Sequence, residues 1–285
     1  MGILVDEALL SQKVAAVLSM ALSLIAMIVS YTYWAQGNDN SEGWLGTIYG
    51  NKCVIHAVLM ITAFCFTYTQ AAVSYRVLPL IGLGHEPSKF IHSFWNTSTM
   101  ILMITALVEI ARFHNEKEWG HLTTMHSWLG VFLVALYSQN WVFGFIHFVL
   151  PVSVEWRKRY LPSHRFFGIV GLLVAAIVME TGIAQKNWLD DATGCFYTNP
   201  DSTAYKEDPA TAYFRIDAGC RAALGIGTLF IFNAIFAVYA LWDFRPVEPK
   251  EKPADPAAAG EPGNVETAKY VELVPENMVP LENKA

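Results

Sequence analysis

Charge is what this chain has least of. Asp, Glu, Lys and Arg make up 15% of its 285 residues, against 54% hydrophobic. A soluble globular domain carries about 25% charged residues, so the composition argues against a water-soluble fold. The formal net charge of −6 also removes the basic surface that nucleic-acid binding requires. The first thirteen residues lack the basic start and small-residue cleavage site of a secretory signal. Gly2 lacks the Ser or Thr that N-myristoylation needs, because Asp6 stands in its place. No internal repeat or second folded domain is visible.

What is present is a set of long apolar runs. Six reach membrane-spanning length, near 11–34, 52–75, 91–113, 124–148, 164–186 and 219–242. Open sheet edges would leave backbone groups unpaired in lipid, so each run reads as a helix. The expected fold is therefore all-α, an integral membrane bundle of six transmembrane helices over 1–245 followed by a segment 246–285. The chain is organised around 124–147, which crosses without one formal charge and carries His126 just inside its first turn.

Topology follows from the loops. Arg157, Lys158, Arg159 and Arg165 cluster in and beside 149–163, whereas 114–123 holds only Lys117 as a fixed cation. The positive-inside rule places 149–163 in the cytoplasm, and with six spans both termini lie there. The loops 35–51, 114–123 and 187–218 then face the opposite side.

Four spans carry a histidine near one end, and depth sorts these into pairs. His56 and His126 fall near the outer face, His92 and His164 near the inner face. An ionisable side chain at such depth is a candidate functional group. Two imidazoles per leaflet, each from a different helix, are the donor set of a bis-histidine haem site between facing helices. Zinc would want three or four ligands together, and no Asp, Glu or Cys clearly shares either depth. His147, at the inner end of the fourth span, is a rival for the inner iron. His85, His114 and His121 fall in loops.

At these residues the chain resembles the eukaryotic cytochrome b561 family, over roughly 50–186. His126-Ser127-Trp128-Leu129-Gly130 resembles the family's His-Ser-Trp-x-Gly. His56 with Val58-Leu59-Met60 resembles its His-Pro-x-Leu-Met, and Tyr75-Arg76 its Tyr-Arg at the end of that helix. Lys89-Phe90-Ile91-His92 with Asn96 resembles Lys-x-x-His-x-x-x-Asn, and Phe113-His114-Asn115 resembles Phe-x-His-Asn. Arg157 precedes His164 with Pro162 between, as in the family. The chain departs from the pattern at Ala57, Thr123, Asn140 and Gln185, where Pro, an aromatic residue, Gln and Glu are usual.

The resemblance implies two haem b groups held between helices 2–5 by His56, His126, His92 and His164. It implies ascorbate as cytoplasmic donor, with Arg76, Lys89 and Arg157 holding the anion. On the outer side it implies His114, with Lys117, beside an acceptor such as monodehydroascorbate or a ferric complex. The expected function is ascorbate-dependent transmembrane electron transfer. Two alternatives are a haem-bearing subunit that anchors a larger complex and a quinol-oxidising subunit.

Two regions fall outside the resemblance. The loop 187–218 is rich in Asp, Thr and aromatic residues, and Cys195 and Cys220 could close it with a disulfide, Cys53 being a rival partner. Cys65 reads as core. The segment 246–285, rich in Pro, Glu, Ala and Lys, cannot bury a core and is expected to order only when bound. Through these regions a homodimer or a larger membrane complex is the expected kind of partner.

Overall fold

A computed structural model describes residues 2–36, 52–189 and 218–242, with side chains at 10–32, 52–185 and 223–242. The Cys195–Cys220 bridge, most of the loop 187–218 and the segment 246–285 fall outside the described residues. Among those described, regular structure is helical throughout. Six helices are long and apolar enough to cross a membrane, as composition required.

We label them α1 (Gly2–Gln36), α2 (Lys52–Ile81), α3 (His85–Glu116), α4 (Met125–Phe148), α5 (Val154–Leu189) and α6 (Ala218–Leu241). The centre is α2, which packs on α1, α3, α5 and α6. Around it α3, α4 and α5 complete the four-helix part that carries all the candidate ligands. Helices α1 and α6 pack chiefly on each other and close the bundle on one side.

The α1–α6 seam follows from small residues. Ala15, Ala16, Ser19, Ser23, Ala26 and Ser30 are buried on α1, facing a helix whose buried positions include Ala234, Ala237 and Ala240. Small side chains let helix backbones approach closely, the main source of helix association in lipid. One polar junction reaches the centre. Asn233, fully buried on α6, accepts from Ser19 Oγ at 2.7 Å and donates to Thr69 Oγ1 at 2.9 Å. Gln70 on α2 donates to Ser23 at 2.9 Å, so α1, α2 and α6 are tied together within the apolar layer. Large apolar side chains such as Phe90, Ile101, Ile104 and Phe132 point outward, as lipid contact allows.

Helix α2 is not regular. Its α-helical parts, Lys52–Met60 and Tyr68–Val77, flank a π-helical stretch, Ile61–Thr67, most of whose residues are buried. The widened turn lets Phe64 and Tyr68 meet Tyr137 of α4 as three edge-to-face contacts, with centroids 5.0–6.0 Å apart. A short 3₁₀ turn ends α2 at Gly82, whose φ of 80° needs a residue without Cβ penalty. That turn reverses the chain into α3.

Helix boundaries extend past the apolar runs. Helix α3 begins at His85 and runs to Glu116, so His85 and His114 lie on it rather than in loops. Helix α5 begins at Val154 and continues through Pro162, so Arg157, Lys158 and Arg159 occupy its opening turns rather than a loop. Hydropathy marks where the chain enters lipid, and a helix need not start there. Proline so near a helix start costs less than in a lipid-buried interior, because water can satisfy the carbonyl it leaves free.

Candidate haem-ligand site

The four histidines meet as depth predicts. The His56 and His126 rings lie with centroids 6.4 Å apart, and those of His92 and His164 6.2 Å apart. Two axial imidazoles on one metal, each bonded at about 2 Å with the ring centre about 1.1 Å further, place their centroids about 6 Å apart. Both pairs match that spacing.

The anchoring of the rings matches too. His56 Nδ1–H donates to the Ala106 carbonyl at 3.0 Å, His92 Nδ1–H to Ala71 at 2.8 Å and His126 Nδ1–H to Val178 at 3.0 Å. A carbonyl on Nδ1 fixes the tautomer, orients the ring and leaves Nε2 for a metal. His164 differs. Its Nδ1 is buried without a hydrogen-bond partner. Asn96 Nδ2 stands 3.2 Å from His92 Nε2, but also donates to the His92 carbonyl at 2.9 Å, so leaving Nε2 would not strand it.

Two glycines make room for the rings. A Cβ on Gly144 of α4 would lie 2.9 Å from His164 Cε1, and one on Gly182 of α5 would lie 2.8 Å from His126 Cε1. Each helix of this antiparallel pair thus presents a glycine to the other's histidine. Helices α2 and α3 exchange in the same way through carbonyls, Ala106 for His56 and Ala71 for His92. In every case a helix's own histidine and the residue it offers its neighbour are 14 to 18 positions apart, about 21–27 Å at 1.5 Å per residue. The two pairs therefore occupy opposite ends of the bundle.

His147 joins neither pair. Its Nδ1–H donates to its own helix at the Phe143 carbonyl, 2.7 Å away, and its ring stacks on Tyr160 with centroids 4.4 Å apart. Arg157, Tyr160 and His164 follow one another at helical spacing on α5, with Tyr160 5.9 Å from His164. Arg157 Nε is buried and has no hydrogen-bond partner. Lys89 lies one turn before His92 on α3, and Arg76 closes the α-helical part of α2 beside Tyr75, whose ring is 5.2 Å from His92. All three candidate cations lie at the His92 end of their helices.

At the His56 end, His114 Nδ1–H donates to the Gly120 carbonyl at 3.1 Å, and its ring stacks on His121 at 5.4 Å. Lys117 is exposed at the end of α3. Lys52 pairs with Glu116 beside it. Thr124 caps α4 by accepting from Ser127 N–H at 3.2 Å and donates to Gln185 Oε1 at 2.9 Å. Two departures from the family pattern, Asn140 and Gln185, thus make polar contacts, since Tyr160 O–H also donates to Asn140 Oδ1 at 3.4 Å.

Sequence reasoning missed the glycine cradles, Tyr160 and Glu180. Tyr160 was legible in principle, because it precedes His164 by four. The Glu180 carboxylate packs against α6 at Gly227, where a Cβ would meet its oxygens at 2.7 Å. Its signal was a lone carboxylate inside an apolar run. Among the described residues no group of three or more His, Cys, Asp or Glu is placed to hold a metal ion.

The fold and these contacts define a six-helix membrane protein with two pairs of facing imidazoles. A family model, eukaryotic cytochrome b561, matches residues 55–190. The lysosomal membrane ascorbate-dependent ferrireductase CYB561A3 of Homo sapiens is 32% identical over 219 residues, 74% of this chain and 85% of that protein. A probable ascorbate-specific transmembrane electron transporter 1 of Oryza sativa subsp. japonica is 32% identical over 133 residues, 46% of this chain and 56% of that protein. This chain belongs to the eukaryotic cytochrome b561 family, whose cofactor is haem b.

Proposed function

We propose that the protein passes single electrons across a membrane from cytoplasmic ascorbate to ferric iron on the opposite side, through two b haems. The observation that carries this reading is the pair of ligand sites at opposite ends of one bundle, each with the centroid spacing of axial imidazoles. Bound haem supplies a one-electron carrier whose potential the ligands, burial and nearby hydrogen bonds set. The chain's own part is to hold, space and insulate. His56 and His126 hold one group, His92 and His164 the other, and the aromatic side chains of Phe64, Tyr68 and Tyr137 fill the bundle between the two ends.

The His92 end is the proposed donor side. Arg76, Lys89 and Arg157 supply positive charge there, and the buried, unpartnered Arg157 Nε favours an anionic ligand. Charge-assisted bonds to an enediolate are the strong kind. The same basic residues orient the chain by the positive-inside rule, which puts both termini in the cytoplasm with that end. Residues 246–285 are then a separate cytoplasmic segment. At the other end, His114 and Lys117 lie beside the acceptor. Ferric iron is preferred because the relatives named as ferrireductases align over most of their length, whereas the rice transporter aligns over 56% of its own.

The test is an optical difference spectrum, ascorbate-reduced minus oxidised, of the purified protein, followed by reduction of external ferric citrate by protein reconstituted in ascorbate-loaded vesicles. The expected result is complete reduction by ascorbate and reoxidation by external ferric citrate. A haem spectrum that ascorbate leaves oxidised would refute the donor assignment. Reduction without reoxidation by ferric citrate would refute the acceptor.

A further inference from the structure

Taking one electron from ascorbate leaves a proton to place. The ascorbate monoanion keeps one enediol O–H, and loss of an electron makes that group strongly acidic. The balanced step is ascorbate monoanion to monodehydroascorbate anion radical, one electron and one proton. On the donor reading above, a base belongs at the His92 end.

The basic residues there cannot serve, because arginine and lysine are already protonated. The His92 and His164 imidazoles belong to the ligand pair. His85 lies at that end too, but it is exposed and its Nδ1 faces Glu86 at 3.3 Å, on α3 rather than beside Arg157. His147 remains. Its Nδ1–H is committed to the Phe143 carbonyl at 2.7 Å, so the free lone pair is on Nε2. Its ring lies 4.4 Å from that of Tyr160, nearly parallel at 23°. Tyr160 stands between Arg157 and His164 along one stripe of α5.

We propose that His147 Nε2 accepts the enediol proton as ascorbate gives up its electron. Arg157 holds the anion, the O–H bond breaks, an N–H bond forms on His147, and the electron passes to the oxidised haem that His92 and His164 would hold. The anion radical departs and the imidazolium returns its proton to cytoplasmic water. Stacking on Tyr160 suits both states, since an aromatic face attracts a cation. The titratable or charged groups in the opening turns of the elements at this end are Glu155, Arg157, Lys158, Arg159 and Tyr160 on α5 and His85, Glu86 and Lys89 on α3, and of these Tyr160 is the one recorded against the ring. Among the described residues no carboxylate is recorded against the ring.

The experiment uses haem-loaded, full-length protein and His147→Ala. Stopped-flow reduction is followed with ascorbate in H₂O and D₂O, and with hexaammineruthenium(II), which delivers an electron without a proton. Loss of a positioned general base should slow ascorbate reduction by about 100-fold near neutral pH. KM should change little, the solvent isotope effect should change, and added imidazole should restore part of the rate. Reduction by the ruthenium complex and the haem spectrum should stay as in the parent. Independently of turnover, ascorbate should shield His147 from diethyl pyrocarbonate, read by mass spectrometry. Unchanged ascorbate kinetics and isotope effect in His147→Ala would overturn the assignment, as would equal slowing with both reductants. A parent protein reduced by the ruthenium complex but not by ascorbate would instead remove the donor reading on which the assignment rests.

Discussion

The two ends of the bundle hold their histidines alike and surround them differently. Ring spacing differs by 0.2 Å between the pairs, from 6.4 to 6.2 Å. Around His92 and His164 lie Tyr75, Phe148 and Tyr160, with Arg76, Lys89 and Arg157 at the same end. Around His56 and His126 lie Thr124, Thr181 and Gln185, and then the His114–His121 stack. Ligation is set by helix geometry and repeats, whereas access is set by what flanks it and does not. On the proposed function, direction of flow therefore belongs to the flanks.

The strongest way to break the comparison is to remove ligands. His92→Ala or His164→Ala should each abolish haem at one end, and His56→Ala or His126→Ala at the other. Haem per protein should fall by about half in all four, because bis-histidine ligation needs both imidazoles. Haem retained in His164→Ala but lost in His147→Ala would show that the pairs are wrongly drawn.

Crowding a ring should act on one end only. Gly144→Val should displace His164 and Gly182→Val should displace His126, each leaving the other end loaded. Overpacking of this kind typically costs about 1–3 kcal/mol, and separate spectra of the two haems would show which end is lost. Equal loss at both ends from either variant would mean that the glycines support the whole bundle rather than single rings.

A smaller effect should separate access from ligation. Arg157→Ala should slow reduction by ascorbate about 10- to 100-fold, as expected for one charged hydrogen bond of about 1.5–3 kcal/mol. Haem content should stay full, and raising the ionic strength should weaken donor binding in the parent. An equal loss of rate with an uncharged reductant would make Arg157 structural.

The smallest effects should fall outside the ligand helices' active faces. Asn233→Ala should lower thermal stability by about 1–3 kcal/mol, the cost of stranding buried partners, while both haems stay bound. Thr124→Ala should cost about 1 kcal/mol as a lost helix cap. Melting curves with haem absorbance as a second probe would check both.

Much of this was legible in the sequence. Long apolar runs marked six helices, and the depth of each histidine marked the pairs. Arg76, Lys89 and Arg157 were legible through the resemblance to the family, since cations beside a membrane span are otherwise ordinary anchors. Other features were not legible, for a physical reason. Gly144 and Gly182 look like any glycine in a membrane helix until the facing ring is known. The π-helical stretch in α2 has no signature in hydropathy, because widening a turn changes which faces meet and not how apolar they are. The start of α5 before Pro162 was hidden because its opening turns are polar.

The clasp at Asn233 has a consequence for how the protein is made. Ser19 and Asn233 are separated by 214 positions, so α1 is fastened by a helix synthesised well after it. At roughly 5–20 residues per second that interval is about 10–40 s. The last of the four ligand-bearing helices ends at Leu189, 44 positions before Asn233, so these helices are complete with one flank uncovered for only about 2–9 s of it. On the proposed function, cofactor insertion has a natural window there, which arrival of α6 brings to a close.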